Sequence, residues 1–317
     1  GRNARSGERE SERASGIRWI NRLGSCIAMC MVLIGYGPRM AASSLKAVMC
    51  GPGVWIDMTI FPVDKPVGDC ARKFYQDNGY VILDDVFSVA DCDAVLSIYE
   101  RHADDDYATI LNLDREVPDI QQRVMKNPTV VDLVEGLTES TMVGCQTFFL
   151  FKKPGTRYAA QEFNPHQDNS YPRAEPGAYL AVDISLCDQD AESGGICLWP
   201  GTHKLGLLTF TEQTGYREAA GEKAGNPLCM PAGHALDNGH GGYELVTFSA
   251  EPRLTNWPKI DVSLKRGQAM VFDGNLIHAS YPNKSDKWRP AIITNYLKSG
   301  AGMIEGRTAK RMRIPLR

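Results

Sequence analysis

The sequence predicts a mainly β domain with helices packed against it. Three features carry that prediction. Helix-period segments are confined to the first half of the chain, short strand-like runs bounded by Gly and Pro follow from Met142, and the residues with metal-ligand chemistry fall in those later runs. Helices that precede a run of strands in this way belong outside a β core.

Residues 1–57 read as a leader. Residues 1–56 carry eight Lys/Arg against three Glu (+5), and the remainder carries 27 basic against 35 acidic residues (−8). The apolar run 26–36 has the length of a signal h-region. It is too short to span a bilayer as a helix, and Met40-Ala41-Ala42-Ser43-Ser44 is only a loose cleavage site. The favoured reading is that translation begins at Met58 and the upstream segment is an overlong reading frame or a disordered leader; a signal peptide is the alternative. The domain proper is then residues 58–317, enough to bury one large core.

Within it, residues 68–77 read as an amphipathic helix with Ala71, Phe74 and Tyr75 on one side, followed by the strand Tyr80-Val81-Ile82-Leu83. Ser88-Val89-Ala90-Asp91 has the form of a capping box, opening a helix with Cys92, Val95, Leu96 and Tyr99 as its apolar stripe. A third helix is expected over 130–137, entered through Asn127-Pro128. Strands are expected over 146–153, 178–186 and 195–199. Residues 205–260 form a long Gly-rich connection with little strand signal beyond Leu245-Val246-Thr247-Phe248, the pattern of a lid or binding loop. An apolar strand over 267–273 then runs through Gly274-Asn275 into a strand carrying His278, and Arg289 precedes the apolar run 291–297.

The chemistry concentrates at Asn164-Pro165-His166-Gln167-Asp168, with His278 and Arg289 behind it. A His-x-Asp pair alone is weak, expected about 0.4 times by chance in a chain with six histidines. His166 and Asp168 lie two apart, so on extended backbone both side chains project to one face. Two imidazoles and one carboxylate on one face of an iron leave three positions open for a co-substrate and dioxygen. On that reading the chain is a non-haem Fe(II), 2-oxoglutarate-dependent oxygenase. Arg289 fits it, because a guanidinium at the edge of an apolar run is costly without a carboxylate partner, and the far carboxylate of 2-oxoglutarate is a bidentate one. The plain alternative for Arg289 is a structural salt bridge.

With those residues in view, the chain resembles the phytanoyl-CoA dioxygenase family over residues 66–300. His166-Gln167-Asp168 matches, as does His278 with Arg289. Gly194-Gly195-Ile196-Cys197-Leu198-Trp199-Pro200-Gly201-Thr202-His203-Lys204 resembles the family's NGPL..PGSHK turn, with Ser193-Gly194 for Asn-Gly and Thr202 for Ser. The resemblance implies a double-stranded β-helix (jelly roll, cupin-like), Fe(II) held by His166, Asp168 and His278, 2-oxoglutarate as co-substrate with dioxygen, and ascorbate as reductant. Halogenating relatives carry a small residue at the carboxylate position, so Asp168 points to hydroxylation. Ser280, two after His278, is either a hydrogen-bonding partner of the co-substrate or an ordinary buried serine. By the same resemblance Gln146 points into the barrel near the co-substrate; the alternative is a solvent-facing strand-end glutamine.

Other residues take lesser roles. Gln167 alternates away from its neighbours and is expected to support the loop through hydrogen bonds. Trp288 reads as core, His203 as part of the pocket wall and not a fourth ligand, and His102, His234 and His240 as solvated loop residues. Lys152, Lys153, Arg173 and Lys204 lie near the motifs and could meet an anionic group, although charged loop residues are usually just solvated. An acidic body is not that of a nucleic-acid binder. Nine cysteines without a Cys-x-x-Cys fit reduced thiols in a cytoplasmic protein. The expected partner is a small molecule whose identity the sequence does not give. The rivals are a non-catalytic metal-binding jelly roll and a zinc hydrolase on the same ligands.

Overall fold

The computed structural model describes residues 47–49, 54–56, 59–101, 109–155, 163–208, 210–214, 234–237, 243–248, 257–306 and 310–317. The chain divides into residues 1–56 and 57–317. In the first unit, β1 (Ala47–Met49) and β2 (Val54–Ile56) pair as an antiparallel hairpin. Most of the leader, including the run 26–36, lies outside the described residues.

The second unit opens with β3 (Ile60–Phe61), α1 (Asp69–Asn78), β4 (Tyr80–Leu83) and α2 (Val89–Glu100). Helix α1 stops at Gly79, whose left-handed backbone (φ 79°) lets its N–H close on the Tyr75 carbonyl at 2.7 Å. Helix α2 begins with the expected capping box: Ser88 accepts from the Asp91 N–H, and Asp91 accepts from that of Ser88. After β5 (Thr109–Leu111), α3 (Pro128–Thr138) starts at Pro128 behind an Asn127 side-chain cap. Two short helical pieces, Leu113–Glu116 and Pro118–Ile120, and a π turn at Gln121–Met125 had no clear sequence signal.

The barrel strands follow: β6 (Met142–Lys152), β7 (Phe163–His166), β8 (Tyr179–Ser185), β9 (Ile196–Leu198), β10 (Phe210–Thr214), β11 (His234–Asp237), β12 (Tyr243–Phe248), β13 (Ile260–Asp261), β14 (Ala269–Asp273), β15 (His278–Ser280), β16 (Arg289–Lys298) and β17 (Ile314–Pro315). The larger sheet runs β17-β6-β16-β8-β14-β4-β3 with β5 added on β6, and a four-stranded sheet runs β13-β9-β15-β7. From β6 to β9 and from β13 to β16 the chain moves back and forth between these two sheets. That alternation is a double-stranded β-helix. Two expectations are corrected within 205–260: β10, β12 and β11 form a three-stranded sheet there, and His234 opens a strand and does not sit in a loop. His102 and His240 lie outside the described residues.

Strand alternation divides the core in two. One face of the larger sheet, with Phe149, Val182, Ile184, Val271, Ile292 and Tyr296, packs under Tyr75, Val95, Tyr99, Val130 and Val134 of the helices. Trp288 packs at the edge of this cluster, its ring 5.4 Å from Tyr99. The opposite face, with Tyr80, Ile82, Ala181, Met270 and Phe272, meets Ile196 and Leu198 of the smaller sheet. The candidate site residues lie between these two faces, Arg289 and Gln146 on the larger sheet and His166 and His278 on the smaller.

Candidate metal centre

His166 closes β7 and His278 opens β15, and the register sets the two directly opposite each other. Asp168 lies just past the strand, at the start of a 3-10 turn, so the picture of one continuous strand needs correcting. Extended backbone at Gln167 (φ −118°, ψ 124°) still sends His166 and Asp168 to the same side. Asp168 Oδ1 stands 3.4 Å from His166 Nε2 and 3.5 Å from His278 Nε2, and one ligand atom from each residue lies within 4.8 Å of the others. Neighbouring ligands of one ion at about 2.1 Å stand roughly 3.0 Å apart, so both Asp–His separations are already close to that spacing and no pair starts more than 4.8 Å apart. His278 Nδ1 faces the Leu276 carbonyl at 3.1 Å, which makes Nδ1 the N–H donor and leaves the Nε2 lone pair for a metal. Burial, then the neighbouring His166, pushes the His278 pKa down to about 4 against the pull of Asp168, so the imidazole is neutral at physiological pH.

Gln167 points the other way. Its amide nitrogen donates to the carbonyls of Gly206 (2.8 Å) and Asn275 (2.6 Å), and its oxygen accepts from Leu208 N–H (2.8 Å). A fully buried amide with these partners fixes the loops that carry the ligands. His203 is no ligand: its Nε2 lies 3.1 Å from the Gln76 carbonyl, and its ring packs against Gly79, where an added Cβ would come within 2.4 Å of Nδ1.

A second polar cluster marks one end of the barrel interior. Arg289, 2% exposed at the head of β16, donates from Nη2 to the Gly194 carbonyl. Directly across the ladder is Lys152, 1% exposed, which donates to Ser280 Oγ at 3.0 Å and to the Tyr281 carbonyl. Lys152 therefore differs from the solvated loop charges with which its sequence neighbours grouped it; Lys153 and Lys204 are exposed. The signal was the alternation itself, since Gln146, Phe148, Leu150 and Lys152 fall on one face of β6. Gly194 (φ 88°) makes the cluster possible: a Cβ there would fall 2.7 Å from Lys152 Cδ and 3.0 Å from the Asn283 nitrogen. Ser280 thus sits between the metal ligands and the two cations.

Between these ends the wall is incompletely covered. Phe148, Leu150 and Ile293 face inward and are only half-buried, whereas their outward-facing neighbours Phe149 and Ile292 are wholly buried. Cross-strand rows order the wall: Arg289 pairs with Lys152, Ile293 with Phe148 and Asp183, and Asn295 with Gln146 and Ala181. Phe272 extends the last row and packs its ring 4.8 Å from that of His278. Gln146 is thus inside the barrel, fully buried, and Asn295 beside it was not anticipated. Asp183 and Asn295 are buried with no hydrogen-bond partner for their side-chain oxygens. Orphaned groups of this kind cost about 1–3 kcal/mol each, which a bound polar ligand or water offsets.

Fold and ligand set together define a class: a double-stranded β-helix carrying a two-histidine, one-carboxylate metal site inside its barrel. Within that class the chain belongs to the phytanoyl-CoA dioxygenase family, whose model matches residues 75–291. A phytanoyl-CoA dioxygenase of Arabidopsis thaliana is 28% identical over 173 residues, 54% of this chain and 50% of that protein. The peroxisomal phytanoyl-CoA dioxygenase of Bos taurus is 21% identical over 258 residues, 74% of this chain and 69% of that protein. Among solved structures, the epimerase SnoN in complex with Fe3+, alpha ketoglutarate and nogalamycin RO superposes with a TM-score of 0.57 at 18% identity, covering 78% of this chain and 95% of that one. EvdO2 of Micromonospora carbonacea var. aurantiaca, complexed with 2-oxoglutarate, gives 0.54 at 17% identity, covering 77% and 96%. These likenesses establish the jelly-roll fold.

Proposed function

We propose that the protein is an Fe(II)- and 2-oxoglutarate-dependent dioxygenase that hydroxylates a C–H bond of a small organic or lipid-like substrate. The observation that carries this reading is a three-ligand site and a buried arginine on the facing sheets of one barrel. His166, Asp168 and His278 would hold the ferrous ion, and Arg289 the far carboxylate of 2-oxoglutarate, with Ser280 and Gln146 along the wall. When bound, iron and co-substrate supply dioxygen activation: R–H, O2 and 2-oxoglutarate become R–OH, succinate and CO2, one oxygen atom going to each organic product.

The chain's own residues do the positioning. The Leu276 carbonyl sets the His278 tautomer, Gln167 locks the ligand loops, and the apolar wall of Phe148, Leu150, Ile293 and Met270 limits water around the reacting atoms. The Fe3+ and alpha ketoglutarate bound in SnoN, a protein of the same fold, support iron and this co-substrate as the reading's cofactors. A cytoplasmic location belongs to the same proposal, supported by free thiols at Cys70, Cys92, Cys145, Cys187 and Cys197. Among the described residues no helix is long and apolar enough to cross a membrane.

The test is incubation with Fe(II), ascorbate, dioxygen and 2-oxoglutarate across lipid acyl-CoA, amino-acid-derived and natural-product substrates, with succinate measured. Stimulated succinate release is expected. Neither a zinc hydrolase nor a passive jelly roll makes succinate, so its absence throughout would overturn the proposal.

A further inference from the structure

The barrel wall holds one carboxyl group that neither the metal site nor the anion anchor accounts for. Asp183 sits in the middle of β8, wholly buried, with neither side-chain oxygen hydrogen-bonded. Its face is fixed by the register. Its cross-strand partners Ile293 and Met270 both point into the barrel, as does Ala181 two residues before it. Its row lies between the Arg289–Lys152 row and the Asn295–Ala181–Phe272 row that ends against His278. A ligand held by Arg289 at one end and by the metal at the other passes it.

Such a ligand imposes a chemical condition. 2-Oxoglutarate at neutral pH is a dianion with acceptor atoms only, and an ionised carboxylate is also acceptor-only, so the two would repel across a dry wall. A protonated carboxylic acid is instead a donor, matched to an acceptor ligand. The surroundings favour the neutral form. Ile293 and Met270 flank it on the adjacent strands and the Cys187 thiol is uncharged at neutral pH, whereas the cations of the Arg289–Lys152 row, Arg289 foremost, draw it towards ionisation. Burial outweighs that pull and raises the Asp183 pKa to about 6.

Resting on the co-substrate reading above, we propose that Asp183 binds 2-oxoglutarate as a neutral carboxylic acid donating a hydrogen bond to it, so that each co-substrate molecule enters with a proton. Above about pH 6 the free carboxyl is mostly ionised, so binding in the neutral form takes up a proton. Affinity then weakens towards tenfold per pH unit above 7, because the proton must be recruited from an ever more dilute pool.

The experiment is calorimetric titration of the Fe(II)-loaded full chain with 2-oxoglutarate under nitrogen, in two buffers of different ionisation enthalpy, from pH 7 to pH 9. The wild type should take up a substantial fraction of a proton per ligand at pH 7, rising towards one as the pH increases. Asp183→Asn, which keeps the shape and a donor but does not titrate, should lose that uptake and bind with little pH dependence. Asp183→Leu should lose the uptake and bind more weakly than Asp183→Asn. Proton uptake near zero in the wild type, or unchanged uptake in Asp183→Asn, would overturn the assignment while leaving the co-substrate reading intact. No 2-oxoglutarate binding by the wild type would overturn both.

Discussion

Replacing Arg289 by alanine tests the anchor on which the oxygenase reading turns. Its guanidinium is 2% exposed and held in place by the Gly194 carbonyl, so a carboxylate reaching it forms a desolvated, pre-oriented pair. Removing one partner of such a pair costs about 2–5 kcal/mol. At about 1.4 kcal/mol per factor of ten, 2-oxoglutarate affinity should fall between roughly 30-fold and a few thousand-fold. Iron binding should survive, because Arg289 is not a ligand. Arg289→Lys should recover only part of the loss, since a point charge replaces a planar fork. The measurement is calorimetric Kd on Fe(II)-loaded protein, with KM for 2-oxoglutarate in the succinate assay beside it. 2-Oxopentanoate, which has a methyl group where 2-oxoglutarate has its far carboxylate, is the control ligand and should bind wild type and Arg289→Ala alike. If Arg289→Ala bound 2-oxoglutarate as tightly as wild type, Arg289 would be a structural residue and the hydrolase would again compete.

Other expected outcomes follow from the same site. His166→Ala, Asp168→Ala and His278→Ala should each abolish iron-dependent turnover with the fold retained, checked by metal analysis and circular dichroism; normal activity in any one removes that residue from the centre. Gln167→Leu leaves the Leu208 N–H and the Asn275 and Gly206 carbonyls without their partner, so denaturant unfolding should show a loss of about 2–5 kcal/mol, and a loss below 1 would contradict the loop-locking role. Asp183 has a raised folded pKa, so its contribution to stability is full below its unfolded value near 4 and is lost as pH rises through about 6, a difference of up to about 3 kcal/mol. Asp183→Asn should remove that part of the pH dependence between pH 4 and 7, and an unchanged stability profile would contradict it. A chain beginning at Met58 should fold and bind 2-oxoglutarate as the full chain does; failure to fold would make the leader part of the domain.

How much of this was legible in the sequence depends on whether the controlling interaction was local. The Ser88–Asp91 capping box and the Asn127-Pro128 helix start are contacts within a few residues, and each stands where the sequence predicts it. The metal triad was legible because ligand chemistry restricts residue type so strongly that one His-x-Asp pair and one later histidine, set in a family-like context, were enough. The helical pieces at 113–125 lack capping signals and a clear period, and tertiary packing of Leu113, Ile120 and Val124 holds them.

The barrel wall shows where local reading stops. Asp183 lies in a run, Tyr179-Leu180-Ala181-Val182-Asp183-Ile184-Ser185, whose alternation reads as a strand with one polar face, and a polar face normally means solvent. Here both faces are buried, because helices cover one and the smaller sheet the other. The same holds for Lys152 and Asn295. Strand period tells which residues share a face, but only the two-sheet topology tells that the polar face looks inward. That inversion is itself informative: polar residues on the inward face of a closed barrel carry a desolvation cost that packing does not offset, so their presence at Asp183, Lys152, Asn295 and Arg289 supports the proposal that the interior takes a ligand.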